Sequence, residues 1–331
     1  MSLSRISRLN LGHYPTPVDE LPRFRDALAQ DSNASRVPRI LIKRDDLTGP
    51  GFGGNKVRKL EYVLAKALAE RTEVVITVGG LRSNHARITA ALCARLGIKC
   101  VLVLNGALEA SGYRPASIAL EDLYGADVRI VAAREDRDHT MRAVAEELRG
   151  SGKRVFEVPL GASIPLGALG YVAAFHELVS QLGPDIQISH VVHASSSGGT
   201  QAGLIAGCRM AGYKTTITGV SPDNPAEEIA AEVTGILNGM RELVSIPRGE
   251  NSFGVEINDE FIGPGYGIAS NEGCEATSLL ARTEGIVLDP VYTAKAMAAL
   301  ISWIKDGRYS NEETVLFWHT GGQMALFESR S

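Results

Sequence analysis

The strongest constraint on this chain is a rhythm of short apolar runs alternating with longer amphipathic ones. Residues 74–78 read Val-Val-Ile-Thr-Val and run into Gly79-Gly80, and 83–96 then have helical character and stop at Gly97. Residues 100–104 read as a strand, 117–124 as a helix ending at Gly125, 128–131 as a strand, 136–148 as a polar helix and 154–158 as a strand. The second half repeats the rhythm. It has a helix at 166–182, a strand at 190–194, a Ser/Gly loop and a helix from Thr200, a strand at 215–220 and a helix at 225–237. A late helix at 292–304 and a short strand at 315–318 follow. Strands separated by helices imply an α/β fold with parallel sheets covered on both faces. At 331 residues the chain is longer than one core usually covers, so two lobes are expected. No repeat of about 20–50 residues and no low-complexity tether divides them, so the lobes are expected to interleave.

Composition removes several function classes. With 44% hydrophobic and 22% charged residues the chain reads as soluble and globular. A net charge of −4 with no basic block argues against nucleic acid or an anionic membrane as the main partner. No apolar run approaches the roughly 20 residues of a membrane helix, and residues 1–11 lack the apolar core of a signal peptide. Cys93, Cys100, Cys208 and Cys274 form no Cys-x-x-Cys pair, and three fall in helix or strand interiors, as buried small hydrophobes do. A reducing compartment, the cytoplasm, is expected. His13, His139, His176 and His193 show no metal-ligand spacing, and no catalytic metal is expected. Asp45-Asp46, after the strand at 40–42, fit capping or a salt bridge to Arg44 better than a cation site.

The chemistry gathers in loops. Gly53-Gly54-Asn55-Lys56-Val57-Arg58-Lys59 places one lysine just after small residues and a second three positions on. Three further loops share a design of strand end, small residues, then helix, where parallel sheets bind ligands. In Gly79-Gly80-Leu81-Arg82-Ser83-Asn84-His85, Ser83 fits an N-cap, and the amides of Ser83, Asn84 and His85 equally fit a carboxylate grip. Ser195-Ser196-Ser197-Gly198-Gly199-Thr200 has the composition of a phosphate cradle, without the Lys of a Walker loop or the spacing of a dinucleotide fingerprint. His319-Thr320-Gly321-Gly322 is weaker, with His319 more often structural. Tyr266 and Tyr292 each follow Gly/Pro breakers and fit either packing or a held acid.

Six motifs occur in order: Gly54 to Glu61, Ser83-Asn84-His85, Leu166 to Val172, Ser197 to Gly203, Glu284 to Thr293 and His319-Thr320-Gly321-Gly322. On these the chain resembles the D-cysteine desulfhydrase / 1-aminocyclopropane-1-carboxylate deaminase family, fold-type II pyridoxal-phosphate enzymes with a tryptophan synthase β-like fold. The resemblance runs from His13-Tyr14-Pro15-Thr16-Pro17 to Phe327. It implies a large cofactor-binding domain from 1–55 and 165–331, a small substrate-side domain from 56–164, and a homodimer. It also implies roles. Lys56 carries pyridoxal 5'-phosphate as a Schiff base, and Lys59, Ser197, Gly198, Gly199 and Thr200 hold its phosphate. Asn84 bonds the pyridine hydroxyl, and Thr320 lies against the cofactor. Ser83 with the amides of Asn84 and His85 grips the substrate carboxylate, and Tyr266 and Tyr292 line the reacting centre.

Two positions separate the branches. The deaminase pattern has a carboxylate where Thr293 stands, able to pair with the pyridine nitrogen, and an apolar residue where Thr320 stands. Both departures match the desulfhydrase branch, so elimination from D-cysteine to pyruvate, sulfide and ammonia is the expected reaction, with Lys56, Ser83, Tyr292 and Tyr266 as its catalytic residues and Lys56, alone or with Ser83 or Tyr292, removing the Cα proton. L-cysteate sulfo-lyase and 1-aminocyclopropane-1-carboxylate deaminase are alternatives, and an amino-acid racemase is a further one. Arg82, Ile88 and Ile164 depart from both branches. Arg82 reads either as a surface substitution or as a cation for a second acid group on the substrate. A dinucleotide oxidoreductase would need the missing Gly-x-Gly-x-x-Gly, and a non-catalytic binding module would lack Lys56.

Overall fold

The computed structural model describes residues 3–31, 37–107, 115–183, 186–247 and 253–328. In chain order it runs β1 (Val18–Glu20), α1 (Pro22–Asp31), β2 (Arg39–Arg44), α2 (Asn55–Ala69), β3 (Val74–Gly80), α3 (Asn84–Leu96), β4 (Lys99–Asn105) and α4 (Ala116–Leu123). Next come β5 (Asp127–Val131), α5 (Asp136–Gly150), β6 (Val155–Val158), α6 (Pro165–Gln181), β7 (His190–Ala194), α7 (Gly199–Met210), β8 (Thr216–Val220) and α8 (Ala226–Met240). The chain closes with β9 (Glu256–Asn258), α9 (Asn271–Glu284), α10 (Thr293–Lys305), β10 (Thr314–His319) and α11 (Met324–Glu328).

Two sheets form. One has six strands in the order β1-β2-β10-β7-β8-β9, the other four in the order β5-β4-β3-β6. Pairing is parallel except that the three-residue edge strand β1 runs antiparallel to β2, so the larger sheet is mixed rather than purely parallel. The strand–helix rhythm of the sequence appears as expected, while β1, α1, β9 and α9 add elements that the rhythm did not reveal. The larger sheet takes strands from both ends of the chain around the smaller one, so the two interleave.

β10 shows why the sheets are covered twice. All six of its residues are buried. Leu316 and Trp318 face a core with Leu169, Phe175, Leu204 and Val233 of α6, α7 and α8. Val315 and Phe317 face the opposite core with Phe24, Leu280, Met297 and Leu300 of α1, α9 and α10. The period of two in a strand divides one apolar run between two helix layers. β3 does the same in the smaller sheet: Val75 packs with Leu60, Val63 and Leu92, while Val74, Ile76 and Val78 pack with Met141 and Ala145 of α5. Cys93, Cys100 and Cys208 are buried free thiols, as expected of small core hydrophobes, and Cys274 is exposed. No helix among the described residues is long and apolar enough to cross a membrane.

Candidate active site

Loops following the carboxyl ends of β3, β7 and β10 meet around one cleft. It is lined by Lys56, Ser83, Asn84, His85, Ser197, Gly198, Thr200, Tyr266, Tyr292 and Thr320, so most of the residues singled out in the sequence come together. Lys59 and Gly199 stand just behind this surface rather than in it.

α2 places the lysines. Gly54 leads into it at φ +119°, a region favourable only to glycine. The Asn55 amide donates to the Thr320 carbonyl at 2.9 Å, and Asn55 Nδ2 donates to Thr200 Oγ1 at 3.0 Å, so α2 starts anchored to both other loops. Burial is the main force on Lys56 and brings its pKa down to about 8, with a hydrogen bond to Lys59 acting the other way. Lys59, fully buried, lies well below its ordinary value, first by burial and then by its neighbour Lys56. Its Nζ donates to Ser163 Oγ at 2.9 Å, and that hydroxyl hydrogen-bonds Ser197 Oγ at 2.7 Å. Lys59 therefore reaches the Ser/Gly loop through Ser163.

That loop fits a phosphate. Gly198 sits left-handed at φ +76°, and α7 begins with no side-chain cap on its first amides. The Ser195 hydroxyl lies at the cleft, buried and without a hydrogen-bond partner. Uncapped amides at the positive end of a helix, with small hydroxyls beside them, suit a polyanion. The start of α3 differs, because Ser83 Oγ accepts from the Ala86 amide at 3.2 Å. Ser83 is thus a true N-cap, and the amides of Asn84 and His85 precede the one it satisfies.

Three supporting side chains went unseen in the sequence. Arg87, 1% exposed, donates from Nη1 to Asn84 Oδ1 at 2.8 Å and from Nε to the Gly51 carbonyl at 2.9 Å. A guanidinium only donates, so it fixes the Asn84 amide with Nδ2 free to act as donor. Thr77 Oγ1 donates to the Val158 carbonyl at 2.7 Å, so His85 Nε2, 2.8 Å away, is the donor to Thr77. His85 is a neutral imidazole, its pKa held well below the ordinary value by burial and then by Lys56 and Lys59. Lys295, fully buried, donates to the carbonyls of Pro222, Ile262 and Gly265 at 3.1, 2.7 and 2.8 Å. It ties the turn after β8 to the loop that carries Tyr266.

Tyr266, half-exposed on that loop, hydrogen-bonds its hydroxyl to that of Tyr292. Burial raises both phenol pKa values, Tyr292 well above its ordinary range, so both keep their protons. Arg134, Arg137, Asp223 and Asn105 also line the cleft. None of them carried a sequence signal beyond polarity.

Other residues are placed differently from what the motifs imply. Thr293 is fully buried outside the cleft. Its hydroxyl donates to Asp289 Oδ1 at 2.7 Å and accepts from the Asp289 amide at 2.8 Å, so the first turn of α10 consumes it. Arg82 turns away from the cleft, 45% exposed and 4.0 Å from Glu328 Oε2, and lines an adjoining hollow instead. Ile88 is core, and Ile164 packs against the same core at the start of α6. His319 is structural: Gly321 N donates to its Nδ1 at 3.2 Å, and its Nε2 meets the Val287 carbonyl at 3.0 Å. Asp46 forms the expected bridge to Arg44 at 2.8 Å, while Asp45 pairs with Arg58 instead.

Known proteins share this architecture. The chain is 33% identical to a solved structure described as an ACC deaminase homologue, with a TM-score of 0.87, covering 98% of this chain and 94% of that one. A threonine deaminase of T.th. superposes at a TM-score of 0.67 with 24% identity, covering 93% and 92%. A fungal L-serine ammonia-lyase from Rhizomucor miehei does so at 0.67 with 16% identity, covering 94% and 95%; at such identities these two speak for the fold alone. The family model described as "Pyridoxal-phosphate dependent enzyme" matches residues 9–321, and the chain belongs to that family, with pyridoxal phosphate as its cofactor.

Proposed function

We propose that the protein is a lyase that eliminates a β-substituent from a small amino acid, with D-cysteine going to pyruvate, sulfide and ammonia as the reference reaction. The observation that carries this reading is a lysine amine lowered to about 8 in a cleft that also holds an amide-rich helix start and two protonated phenols.

When bound, the cofactor supplies the electron sink for charge released at Cα. The chain supplies position and proton transfer. Ser197, Gly198 and Thr200 at the head of α7 would hold its phosphate, with Lys59 bracing Ser197 through Ser163. Asn84, oriented by Arg87, would donate from Nδ2 to the pyridine hydroxyl. The amides of Asn84 and His85 would take the substrate carboxylate at the positive end of α3. Lys56 would remove the Cα proton, since its amine is neutral over part of the physiological range. The Tyr266–Tyr292 pair would give a proton to the departing sulfur, as phenols that stay protonated can. Water then supplies the keto oxygen of pyruvate, and nitrogen leaves as ammonia.

Thr320 lines the cleft where the deaminase pattern has an apolar residue, which favours sulfide release over cyclopropane opening. Thr293 contributes only indirectly, since its hydroxyl is spent on Asp289. Free thiols at all four cysteines suit a reducing, cytoplasmic setting, and the family resemblance supports a homodimer. The deciding experiment incubates the holoenzyme with D-cysteine, L-cysteine, D-serine and 1-aminocyclopropane-1-carboxylate and follows sulfide and keto acid. Pyruvate with sulfide from D-cysteine is expected. Loss of optical rotation with no keto acid would replace elimination by racemisation, and oxobutyrate from the cyclopropane would favour the deaminase.

A further inference from the structure

Arg87 sets the Asn84 amide, so whatever fixes Arg87 acts on the cofactor at one remove. Its Nε is taken by the Gly51 carbonyl and its Nη1 by Asn84 Oδ1, while Nη2 is buried with no hydrogen-bond partner among the described residues. Neither acceptor is charged. A guanidinium that is 1% exposed needs a counter-charge.

Two buried glutamates reach it. α4 packs on α3, and α11 packs on α4. Glu121 of α4 and Glu328 at the end of α11 are both buried. Burial is the main force on Arg87 and lowers its pKa, and Glu328 and then Glu121 act the other way. Tyr124 and Asp289 follow, and Asp289 is already occupied in the first turn of α10. The two carboxylates differ. Glu328 Oε1 accepts from the Ser117 amide at 2.5 Å, and its Oε2 is buried without a hydrogen-bond partner, 4.0 Å from the half-exposed Arg82. Both oxygens of Glu121 lack a partner, as does the Ser117 hydroxyl one helical turn before it. Burial, reinforced by Glu328 and the exposed Asp122 and opposed by Arg87, pushes the Glu121 carboxyl up to about 8. One buried guanidinium balances one buried carboxylate. A second negative charge there would stand uncompensated, so Glu121 keeps its proton at neutral pH.

We propose that Glu328 is a positioning residue for the cofactor: it supplies the counter-charge that holds Arg87, and Arg87 keeps Asn84 Oδ1 engaged and Nδ2 free for the pyridine hydroxyl. Glu121 is its protonated neighbour, able to release that proton and take over the charge if Glu328 is lost. This rests on the role given to Asn84 above and extends the site to the helix that follows the Thr320 loop. With neither carboxylate present, Arg87 is a buried cation without an anion and is driven towards solvent. The Asn84 amide then loses the donor that fixes it and is free to turn over.

The experiment titrates apoprotein with pyridoxal 5'-phosphate, followed by absorbance, in Glu121→Gln, in Glu121→Gln/Glu328→Gln, in Asn84→Ala and in the variant carrying all three changes. Glutamine keeps the volume and an acceptor for the Ser117 amide and removes only the charge. Glu121→Gln should keep wild-type affinity, because glutamine resembles the protonated carboxyl. Adding Glu328→Gln should weaken the cofactor roughly 3- to 10-fold, the scale of one hydrogen bond. Adding Asn84→Ala to that pair should weaken it no further, since both changes remove the same contact. A glutamate that merely supports the fold would give losses that multiply with that of Asn84→Ala, and multiplied losses overturn the proposal. So does unchanged affinity in Glu121→Gln/Glu328→Gln. A loss already complete in Glu121→Gln would place the counter-charge on Glu121 and overturn the assignment to Glu328. Should the paired variant unfold, Arg87→Met added to it removes the stranded cation and should restore folding. Its cofactor affinity should stay at the weakened value, and a return to the wild-type value overturns the proposal. Unchanged affinity in Asn84→Ala alone overturns the role of Asn84 and this proposal with it. Turnover is not read, so failure of D-cysteine as a substrate would sink the elimination reading and leave these outcomes as they stand.

Discussion

Helix α2 buries cations of two kinds within four residues. Arg58, fully buried, meets Asp45 through Nε and Nη2 at 2.9 and 2.8 Å and Glu177 through Nη1 and Nη2, both at 2.9 Å. Lys43 joins Glu177 at 2.7 Å, and Tyr171 and Trp318 donate to Asp45 at 2.7 and 2.8 Å. Lys56 and Lys59 lie on either side of Arg58 in sequence, and among the described residues neither has a carboxylate partner. The consequences diverge. Arg58 is raised well above its ordinary pKa despite burial, and Asp45 is lowered despite complete burial. Lys56 and Lys59 are both lowered. Burial alone therefore does not mark a functional charge; burial without compensation does.

The largest test of this contrast is Lys56→Ala. Keto-acid release should fall on the order of 10³-fold or more, as loss of both the cofactor anchor and the base implies. The urea midpoint of the apoprotein should hold or rise, because no ion pair is broken. Retained sulfide release would sink the assignment of Lys56. Next in size, Arg58→Met should destabilise the fold by about 3–5 kcal/mol, since Asp45 is left buried and uncompensated. A urea midpoint unchanged in that variant would erase the distinction between the two kinds of cation.

The contrast also explains what the sequence could and could not reveal. The rhythm of β3, α3 and β4 was legible because apolar period and glycine stops are local. The lysine pair was legible because both members sit in one motif. Arg58 was not, because its partners Asp45 and Glu177 lie 13 and 119 positions away. Lys295 was hidden for the same reason, since its carbonyl acceptors lie 73, 33 and 30 positions away; Arg87 is only three positions from Asn84, and it was hidden because its second anchor, the Gly51 carbonyl, lies 36 positions away. Thr293 misled because adjacency to Tyr292 does not say where a residue in the first turn of a helix points, and Asp289, four residues earlier, claims its hydroxyl. Arg134 and Arg137 look like any polar helix start until the fold brings them to the cleft.

An effect of about one decade per pH unit should appear in cofactor capture. The folded pKa of Lys56, about 8, lies below its ordinary 10.5. Below about 8 the neutral amine fraction falls roughly tenfold per unit, so the rate at which apoprotein takes up pyridoxal phosphate should rise with pH and level off above about 8. The same shift means that the folded state binds fewer protons than the unfolded one between these two values. The stability of the apoprotein should therefore increase as pH rises through that window. A flat capture profile from about pH 6 to 9, followed by absorbance, would show that Lys56 is not the desolvated amine described above.

The smallest and sharpest prediction sets Lys59→Met beside Arg58→Met. The two residues are adjacent, both are fully buried, and methionine replaces both with similar bulk and no charge. If burial decided the outcome, the two variants would unfold alike. If compensation decides it, Lys59→Met removes a desolvated amine that no carboxylate needs, and apoprotein stability should change by less than about 1 kcal/mol or increase. Its cost should appear at the cofactor instead. Ser163 loses its donor, Ser197 loses the brace behind the head of α7, and pyridoxal-phosphate affinity should weaken by roughly 10-fold, the scale of one charge-assisted hydrogen bond. Unfolding of apo and holo forms, measured side by side for the two variants, separates these outcomes, because only Lys59→Met should lose about 1.4 kcal/mol of the stabilisation that saturating cofactor confers.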